Sequence, residues 1–246
     1  MLLIEPISAQ DLKNQLDQEL QGLMTKVTDW RHHFHQYPEL SNREYKTQES
    51  IAEALTEMGL VPNTEYGITG VTAFIRGQNP GPLIALRADI DGLPVTEQLN
   101  LPFSSKVKTT YQGNAVGVMH ACGHDSHIAV LLGVASFLSR NTDKLNGDIL
   151  LIFQPAEEGA PEGEEGGAEL MLKQGLFEAE KPDAIFGMHV SNFKNGQIWT
   201  KPGPIMASAE AFRITVQGEQ THGSRPWSGV DPVSYTHLTL PTTPYV

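Results

Sequence analysis

Four separated segments of the chain carry side chains able to hold a divalent metal ion. Arg87-Ala88-Asp89-Ile90-Asp91 offers carboxylates, and Met119-His120-Ala121-Cys122-Gly123-His124-Asp125 offers a thiol and imidazoles. Gln154-Pro155-Ala156-Glu157-Glu158 adds two adjacent carboxylates, and Gly187-Met188-His189 one more imidazole. Thiolate, imidazole and carboxylate are the donors that zinc and its neighbours take. Cys122 and His124 are two residues apart in a glycine-containing loop, so both can point at one centre. Glu157 and Glu158 are adjacent, so their side chains diverge; one can bind metal while the other handles protons. Singly, each feature has a plainer reading. Adjacent glutamates are commonly a solvated loop, and a lone His189 a hydrogen-bonded core residue. His120 and His127 read as supporting or structural groups, and His32 and His35 as packing and capping residues of a helix. It is the convergence of all four segments that favours a metal site.

That convergence depends on what precedes each segment. Leu83 to Leu86, Ile149 to Phe153 and Ala184 to Phe186 read as short apolar strands, and each runs directly into one of the polar segments. In open α/β sheets, ligands bind beyond the C-terminal ends of the strands. Val71 to Ile75 reads as a further strand, followed by a turn at Gly77 to Gly81. Between the strands lie helical periodicities. Asp11 is placed to cap a long helix with Leu12, Leu16, Leu20, Leu23, Val27, Trp30 and Phe34 on one face, ended by Pro38. Ser41 and Glu44 have capping-box spacing before a helix carrying Ile51, Leu55 and Met58, which stops at Gly59. Asp125 is placed to cap a third helix with Ile128, Leu131, Leu132, Ala135 and Leu138 inward. A fourth covers Ala168 to Gln174 and closes at Gly175, after a Glu- and Gly-rich loop over Glu157 to Glu169. Unalternating strands separated by helices indicate an α/β fold, a mainly parallel sheet with helices on both faces. From about Ala207 the texture changes: Phe212, Ile214 and Val216 alternate with polar residues, as in a half-exposed strand opening a smaller α+β domain.

The bulk properties exclude several classes. The 246 residues carry a formal net charge of -12 and one cysteine. No basic patch is visible for nucleic acid or an anionic membrane, no apolar run is long enough to span a bilayer, and an intrachain disulfide is impossible. A cytoplasmic location is the default. Residues 1–10, with the small-residue pattern Ile7-Ser8-Ala9, would mean a periplasmic or secreted protein if they are the remnant of an export signal.

Read in order, the motifs carry a resemblance. Arg31-x3-His35-x2-Pro38-Glu39-Leu40 is followed by Ala85-Leu86-Arg87-Ala88-Asp89-Ile90-Asp91-Gly92-Leu93-Pro94-Val95. Then come His120-Ala121-Cys122-Gly123-His124-Asp125, Gln154-Pro155-Ala156-Glu157-Glu158 and Phe186-Gly187-Met188-His189. From about Trp30 to Pro232 the chain closely resembles the aminoacylase-like amidohydrolases: hippurate hydrolase, N-acyl-amino-acid amidohydrolase and the plant auxin-conjugate hydrolases. The resemblance implies a two-metal, aminopeptidase-like catalytic domain and hydrolysis of the amide bond of N-acylated amino acids or related small amides. It implies two divalent metal ions per complete subunit, zinc or manganese foremost, with cobalt and nickel as further candidates. Cys122, His124, Glu158 and His189 resemble the metal ligands, Glu157 the general base, and Asp91 a residue that orients a ligand from behind. His222, in Thr221-His222-Gly223-Ser224, resembles the small-domain histidine that reaches the partner subunit's site and stabilises the oxyanion, which implies a homodimer. A dipeptidase or carboxypeptidase of the same family is the close alternative, and an inactive truncated fragment or a non-catalytic binding module the more distant ones.

The expected organisation is therefore 1–206 for the N-terminal part of the catalytic domain, 207–232 for the beginning of the dimerisation domain, and 233–246 for a non-native tail. The family has a further histidine ligand near the C-terminus of a longer chain, and nothing here supplies it. After Asp231-Pro232 a helix should follow, but residues 233–246 hold two prolines and four threonines, which cannot continue one. His237 is thus no substitute ligand. Val233 to Thr242 reads like the translation of a transposase-type sequencing-library adapter, so the expectation is a truncated chain with a foreign tail, inactive as written.

Overall fold

The computed structural model describes residues 9–208 and 214–233. Residues 1–8, where the export-signal remnant was expected, and 234–246, most of the expected tail with His237, lie outside the described residues, as does Phe212. The chain divides into two compact units, 1–192 and 193–246.

In the first unit, α1 (Ala9–Gln36), α2 (Tyr45–Glu57), β1 (Val71–Ile75), β2 (Asn79–Asp89), β3 (Lys108–Tyr111), β4 (Asn114–Gly117), α3 (His124–Ser139), β5 (Asn146–Gln154), α4 (Gly167–Lys173) and β6 (Ala184–Gly187) follow one another. The main sheet has the order β1-β5-β2-β6. β2 is parallel to both β5 and β6, with Ala85 level with Leu150 and Ile185, and β1 is antiparallel to β5. The fold is therefore the expected α/β arrangement with a mainly parallel sheet.

Side chains alternate across a strand, and both faces of the sheet are buried. Val71, Ala73, Ile75, Leu151 and Phe153 pack with Phe34 of α1, Ile51 and Leu55 of α2, and Ile128, Leu131 and Leu132 of α3. Ala85, Leu150 and Ile152 face the other way, onto Met171 of α4, Leu176 and Tyr66. This is why Ile149 to Phe153 of β5 read as an unbroken apolar run: each of these residues has a core to enter. Burial of side chains of this size stabilises the fold by roughly 1.5–3 kcal/mol each. α1 and α3 approach closely at Gly133, where a Cβ would stand 2.7 Å from Val27 Cγ2. Among the described residues no helix is long and apolar enough to cross a membrane.

Several local expectations are corrected. The strands begin earlier than their apolar cores, β2 at Asn79 and β5 at Asn146, because backbone pairing continues where polar residues meet solvent. The β3–β4 hairpin was not anticipated; its turn residues Gln112 and Gly113 have φ of +48° and +80°, and Gln-Gly is a weaker turn signal than Asn-Gly or Asp-Gly. Asp11 lies within α1, which is described from Ala9 onward, and not ahead of it. Asp125 does not cap α3: Gly123 does, at φ +93°, and Asp125 sits within the first turn. Ser41 and Glu44 form no capping box either. Glu44 makes no side-chain cap to α2; both residues are buried and turned toward the sheet. The free amide in the first turn of α2 is met by Glu39, whose Oε2 accepts the Thr47 amide at 2.9 Å and the Thr47 hydroxyl at 3.0 Å.

In the second unit, Ile214 and Val216 lie in irregular chain rather than in the expected strand. Alternation marks a strand only where a neighbour pairs with it, and the pairing seen among the described residues of this unit is a single bridge between Glu219 and Val230.

Replacing Glu39 with Ala removes the acceptor for that helix-start amide. A loss of about 0.5–2 kcal/mol is expected, the range for a lost helix cap, measured as a shift in urea midpoint at unchanged slope.

Candidate metal centre

The C-terminal ends of β2, β5 and β6 and the start of α3 meet at one edge of the sheet, and His124 stands at their centre. It is completely buried, and neither of its ring nitrogens has a hydrogen-bond partner. Nδ1 lies 3.3 Å from Asp91 Oδ1, close but not aligned as a hydrogen bond. Nε2 faces three carboxylates: Asp89 Oδ2 at 3.6 Å, Glu157 Oε2 at 3.7 Å and Glu158 Oε1 at 3.7 Å. A buried polar atom without a partner is costly. Here several donor atoms surround it at separations too long for hydrogen bonds and suited to sharing a cation.

Cys122 and His189 add the other donors. Cys122 Sγ is 3.4 Å from His189 Nε2. His189 Nδ1 lies 2.6 Å from the carbonyl of Val190, which can only accept, so Nδ1 carries the proton and Nε2 presents a bare lone pair toward the thiol. A ligating histidine is usually fixed in this way by a hydrogen bond on its other nitrogen. Ligand atoms of Cys122, His124 and His189 fall within 4.8 Å of one another, and so do those of His124, Glu157 and Glu158. The loop allows this because Gly123 is left-handed and a Cβ there would stand 2.2 Å from Val190 Cγ2.

A third group, Asp89, His124 and His127, is equally compact, but Asp89 and His127 already satisfy one another and their neighbours. The Val190 amide donates to His127 Nε2 at 2.8 Å, so His127 Nδ1 holds the proton and donates to Asp89 Oδ1 at 2.5 Å. Asp89 Oδ2 accepts from Arg87 Nη1 at 2.8 Å. His127 thus keeps no free lone pair, in line with a supporting role. Asp89 is a residue that sequence reasoning quoted but left without a part; its place beside His124 depends on the strand register.

The electrostatics show a site with excess negative charge. Burial, the hydrogen bond to Glu158 and the nearby Glu157 and Asp89 push the Cys122 thiol up to about 12. Burial and Asp89 raise the Glu157 carboxyl. Burial opposes ionisation of Asp89, but His127, His124 and Arg87 hold its carboxyl down to about 2. Burial also works against Asp91, where His124, Ser41 and the Glu158 amide prevail and lower it. Bound cations invert such a pattern, deprotonating a coordinating thiol outright. The donor types, the orphaned His124 nitrogens and the unbalanced charge all fit divalent metal.

Beside these groups lies a cavity of about 400 Å³ lined by Arg31, His35, Phe103, His120, Cys122 and Asn192 among others. His35 is not a capping residue. Its Nδ1 and Nε2 contact Asp125 Oδ2 and Glu97 Oε2, both at 2.9 Å; the bond to Asp125 outweighs burial and raises its pKa. Two carboxylates on one ring favour the doubly protonated imidazolium. His32 stacks on Phe103 with ring centroids 3.8 Å apart. His120 is buried with both nitrogens unpartnered, and burial lowers its pKa to about 4.

Of the residues expected from the sequence, Asp91, Cys122, His124, Glu157, Glu158 and His189 are brought together. His222 belongs to the second unit, where it is exposed and its Nδ1 accepts the Ser224 amide at 3.2 Å.

An α/β sheet whose strand ends gather thiol, imidazole and carboxylate donors defines the class: an α/β scaffold with a candidate metal centre at its strand ends. Comparison with known proteins narrows it. The model for "Peptidase family M20/M25/M40" matches residues 85–239, and the chain belongs to that family. It is 44% identical over 224 residues to thermostable carboxypeptidase 1 of Saccharolobus solfataricus, covering 89% of this chain and 54% of that one. It is 40% identical over 223 residues to the hippurate hydrolase of Campylobacter jejuni, covering 90% of this chain and 54% of that one. The chain thus spans about half the length of the curated relatives it matches. Among solved structures it resembles the YXEP protein of Bacillus subtilis, described as a dinuclear metal binding peptidase of the M20 family. Identity is 41% and the TM-score 0.61, over 70% of this chain and 44% of that one.

Cys122→Ala removes the softest donor of the cluster. It should cost at least one bound metal per chain in elemental analysis after dialysis against zinc; unchanged metal content would exclude Cys122 as a ligand.

Proposed function

We propose that the protein is a metal-dependent hydrolase cleaving the amide bond of N-acylated amino acids or related small amides. The observation that carries this reading is the bare, buried Nε2 of His124 facing the carboxylates of Asp89, Glu157 and Glu158, with the Cys122–His189 pair beside it. Cys122, His124, Glu158 and His189 would hold two divalent ions, zinc or manganese foremost. When bound, such a pair supplies Lewis acidity to the scissile carbonyl and to water. Every other task falls to the chain itself.

Glu157 acts as the general base. Its carboxyl is raised by burial and by Asp89, which strengthens its hold on a proton taken from water. It takes the proton of the attacking water and delivers it to the leaving nitrogen. Glu158, from the same turn, serves as ligand, and Asp91 holds His124 from behind. His222 would donate to the carbonyl oxygen as charge develops there, reaching the site of a partner subunit in a homodimer. The relatives named hippurate hydrolase, N-acyl-L-amino acid amidohydrolase and N-acetyl-L-cysteine deacetylase support small acyl-amino-acid substrates. The relative named carboxypeptidase, at 44% identity, supports the alternative of a peptide substrate. The cytoplasmic location expected from the sequence belongs to this same reading.

Glu157→Gln keeps size but removes the basic oxygen. In a version of the chain extended to the length of its relatives, the turnover of N-acetyl and N-benzoyl amino acids should fall roughly 10²–10⁴-fold while metal content persists, and Glu158→Gln should lose metal; the opposite pattern would exchange the two roles. For His222, mixing His222→Ala with Glu157→Gln protein, both extended in the same way, should restore part of the activity in mixed dimers. No recovery after proven subunit exchange would place the whole site within one chain.

A further inference from the structure

Three consecutive backbone amides at the paired glutamates are held by two buried carboxylates. Glu44 Oε1 accepts the Ala156 amide at 2.8 Å. Asp91 Oδ1 accepts the Glu157 amide and Asp91 Oδ2 the Glu158 amide, both at 3.0 Å. Ala156 is left-handed, with φ of +49°, a conformation that a residue with a Cβ keeps only where its surroundings enforce it. The enforcement is visible. Glu44 has no exposed surface, and its Oε2 accepts the hydroxyl of Thr69, which is equally buried, at 2.5 Å. Ser41, three residues before Glu44, donates its hydroxyl to Asp91 Oδ2 at 2.7 Å. The loop between α1 and α2 therefore holds both carboxylates that grip the turn.

Glu44 is an expensive choice for this place. Burial raises its carboxyl to about 7, against the Thr69 and Ala156 hydrogen bonds that lower it. It stands at the N-cap position of α2, but its side chain makes no cap hydrogen bond there, and no cation forms a salt bridge with it among the described residues. What it does hold is the amide one residue before Glu157. The direction in which Glu157 and Glu158 leave the chain is set by the dihedrals of this turn, because adjacent side chains can diverge toward two tasks only if the backbone between them is fixed.

We propose that Glu44 is a positioning residue for the Glu157–Glu158 pair: by holding the Ala156 amide it locks the left-handed turn that aims one carboxylate at the metal donors and the other at the reacting water. The backbone clamp stands on the hydrogen bonds alone; its consequence for metal rests on the function proposed above.

The test compares wild type, Glu44→Ala and Glu44→Gln by amide hydrogen exchange of the peptide carrying Ala156, Glu157 and Glu158, and by zinc titration. Gln keeps a carbonyl for the Ala156 amide, and the Thr69 hydroxyl can rotate to accept from the new NH2. Glu44→Ala should speed exchange at the turn at least about 10-fold, leave α3 and β5 protected, and weaken zinc binding roughly 10–100-fold, the usual effect of losing a group behind a ligand; Glu44→Gln should recover most of both. If Glu44→Ala does not fold, Glu44→Asp, one methylene shorter, withdraws the carboxylate and should show the same two changes. Unchanged exchange at the turn in a folded variant overturns the proposal. So does faster exchange spread equally over α3 and β5, or faster exchange at the turn with zinc affinity unaltered. Wild type that takes up no zinc would overturn the metal reading instead, while the exchange data still decide the clamp.

Discussion

The carboxylate of Asp91 is the contact on which the arrangement of the site depends. It lies just past the end of β2, with almost no exposed surface. It accepts the Ser41 hydroxyl from the loop after α1 and the amides of Glu157 and Glu158 beyond β5, and it faces His124 Nδ1 at the start of α3. Four segments far apart in sequence thus share one anion. A buried carboxylate with several donors stays ionised, and an ionised carboxylate in low dielectric fixes its neighbours more firmly than a neutral group would. The parallel pairing of β2 with β5, Asp89 level with Gln154, carries the two strand ends to the same height and makes this sharing possible.

Around that anchor the protein concentrates negative charge that its own cations do not balance. Arg87 and His127 are committed to Asp89, and His35 and Arg31 to Asp125. Glu157, Glu158 and Cys122 are left to one another and to His124, and the thiol and the Glu157 carboxyl respond by moving up. The division has a chemical use. Groups already neutralised hold the frame, while groups left in tension are those a divalent ion would relieve.

The layering explains how a short chain holds such a site rigid. β5, in the middle of the sheet, is covered by α1, α2 and α3 on one face and by α4 and its flanking residues on the other. Its last residue, Gln154, accepts two guanidinium hydrogen bonds from Arg87 of β2. The turn that follows therefore starts from a fixed point and reaches Glu44 at Ala156 and Asp91 at Glu157 and Glu158.

The sequence by itself determined a great deal. Donor types at strand ends, apolar runs for β1, β2, β5 and β6, helical periodicity for α1 to α4 and the resulting α/β class follow from residue chemistry and spacing, which are local. So does the pairing of Cys122 with His124, set by one intervening glycine. What the tertiary structure decided is which polar residues serve the helices and which serve the site. Ser41, Glu44 and Asp125 all carry helix-start signatures, yet Ser41 and Glu44 turn inward to Asp91 and Ala156, and Asp125 to Arg31 and His35. A capping signal and a buried hydrogen-bond partner are the same side chain, and the choice falls to whichever donor packing brings within reach. His127 and His189, which the sequence already reads apart, are kept apart by the fold as well: both nitrogens of His127 go to Asp89 and Val190, whereas Nε2 of His189 meets only the Cys122 thiol among the described residues. Spacing fixes what one segment can offer, whereas long-range register fixes what remains unclaimed once every buried polar group has found its partner.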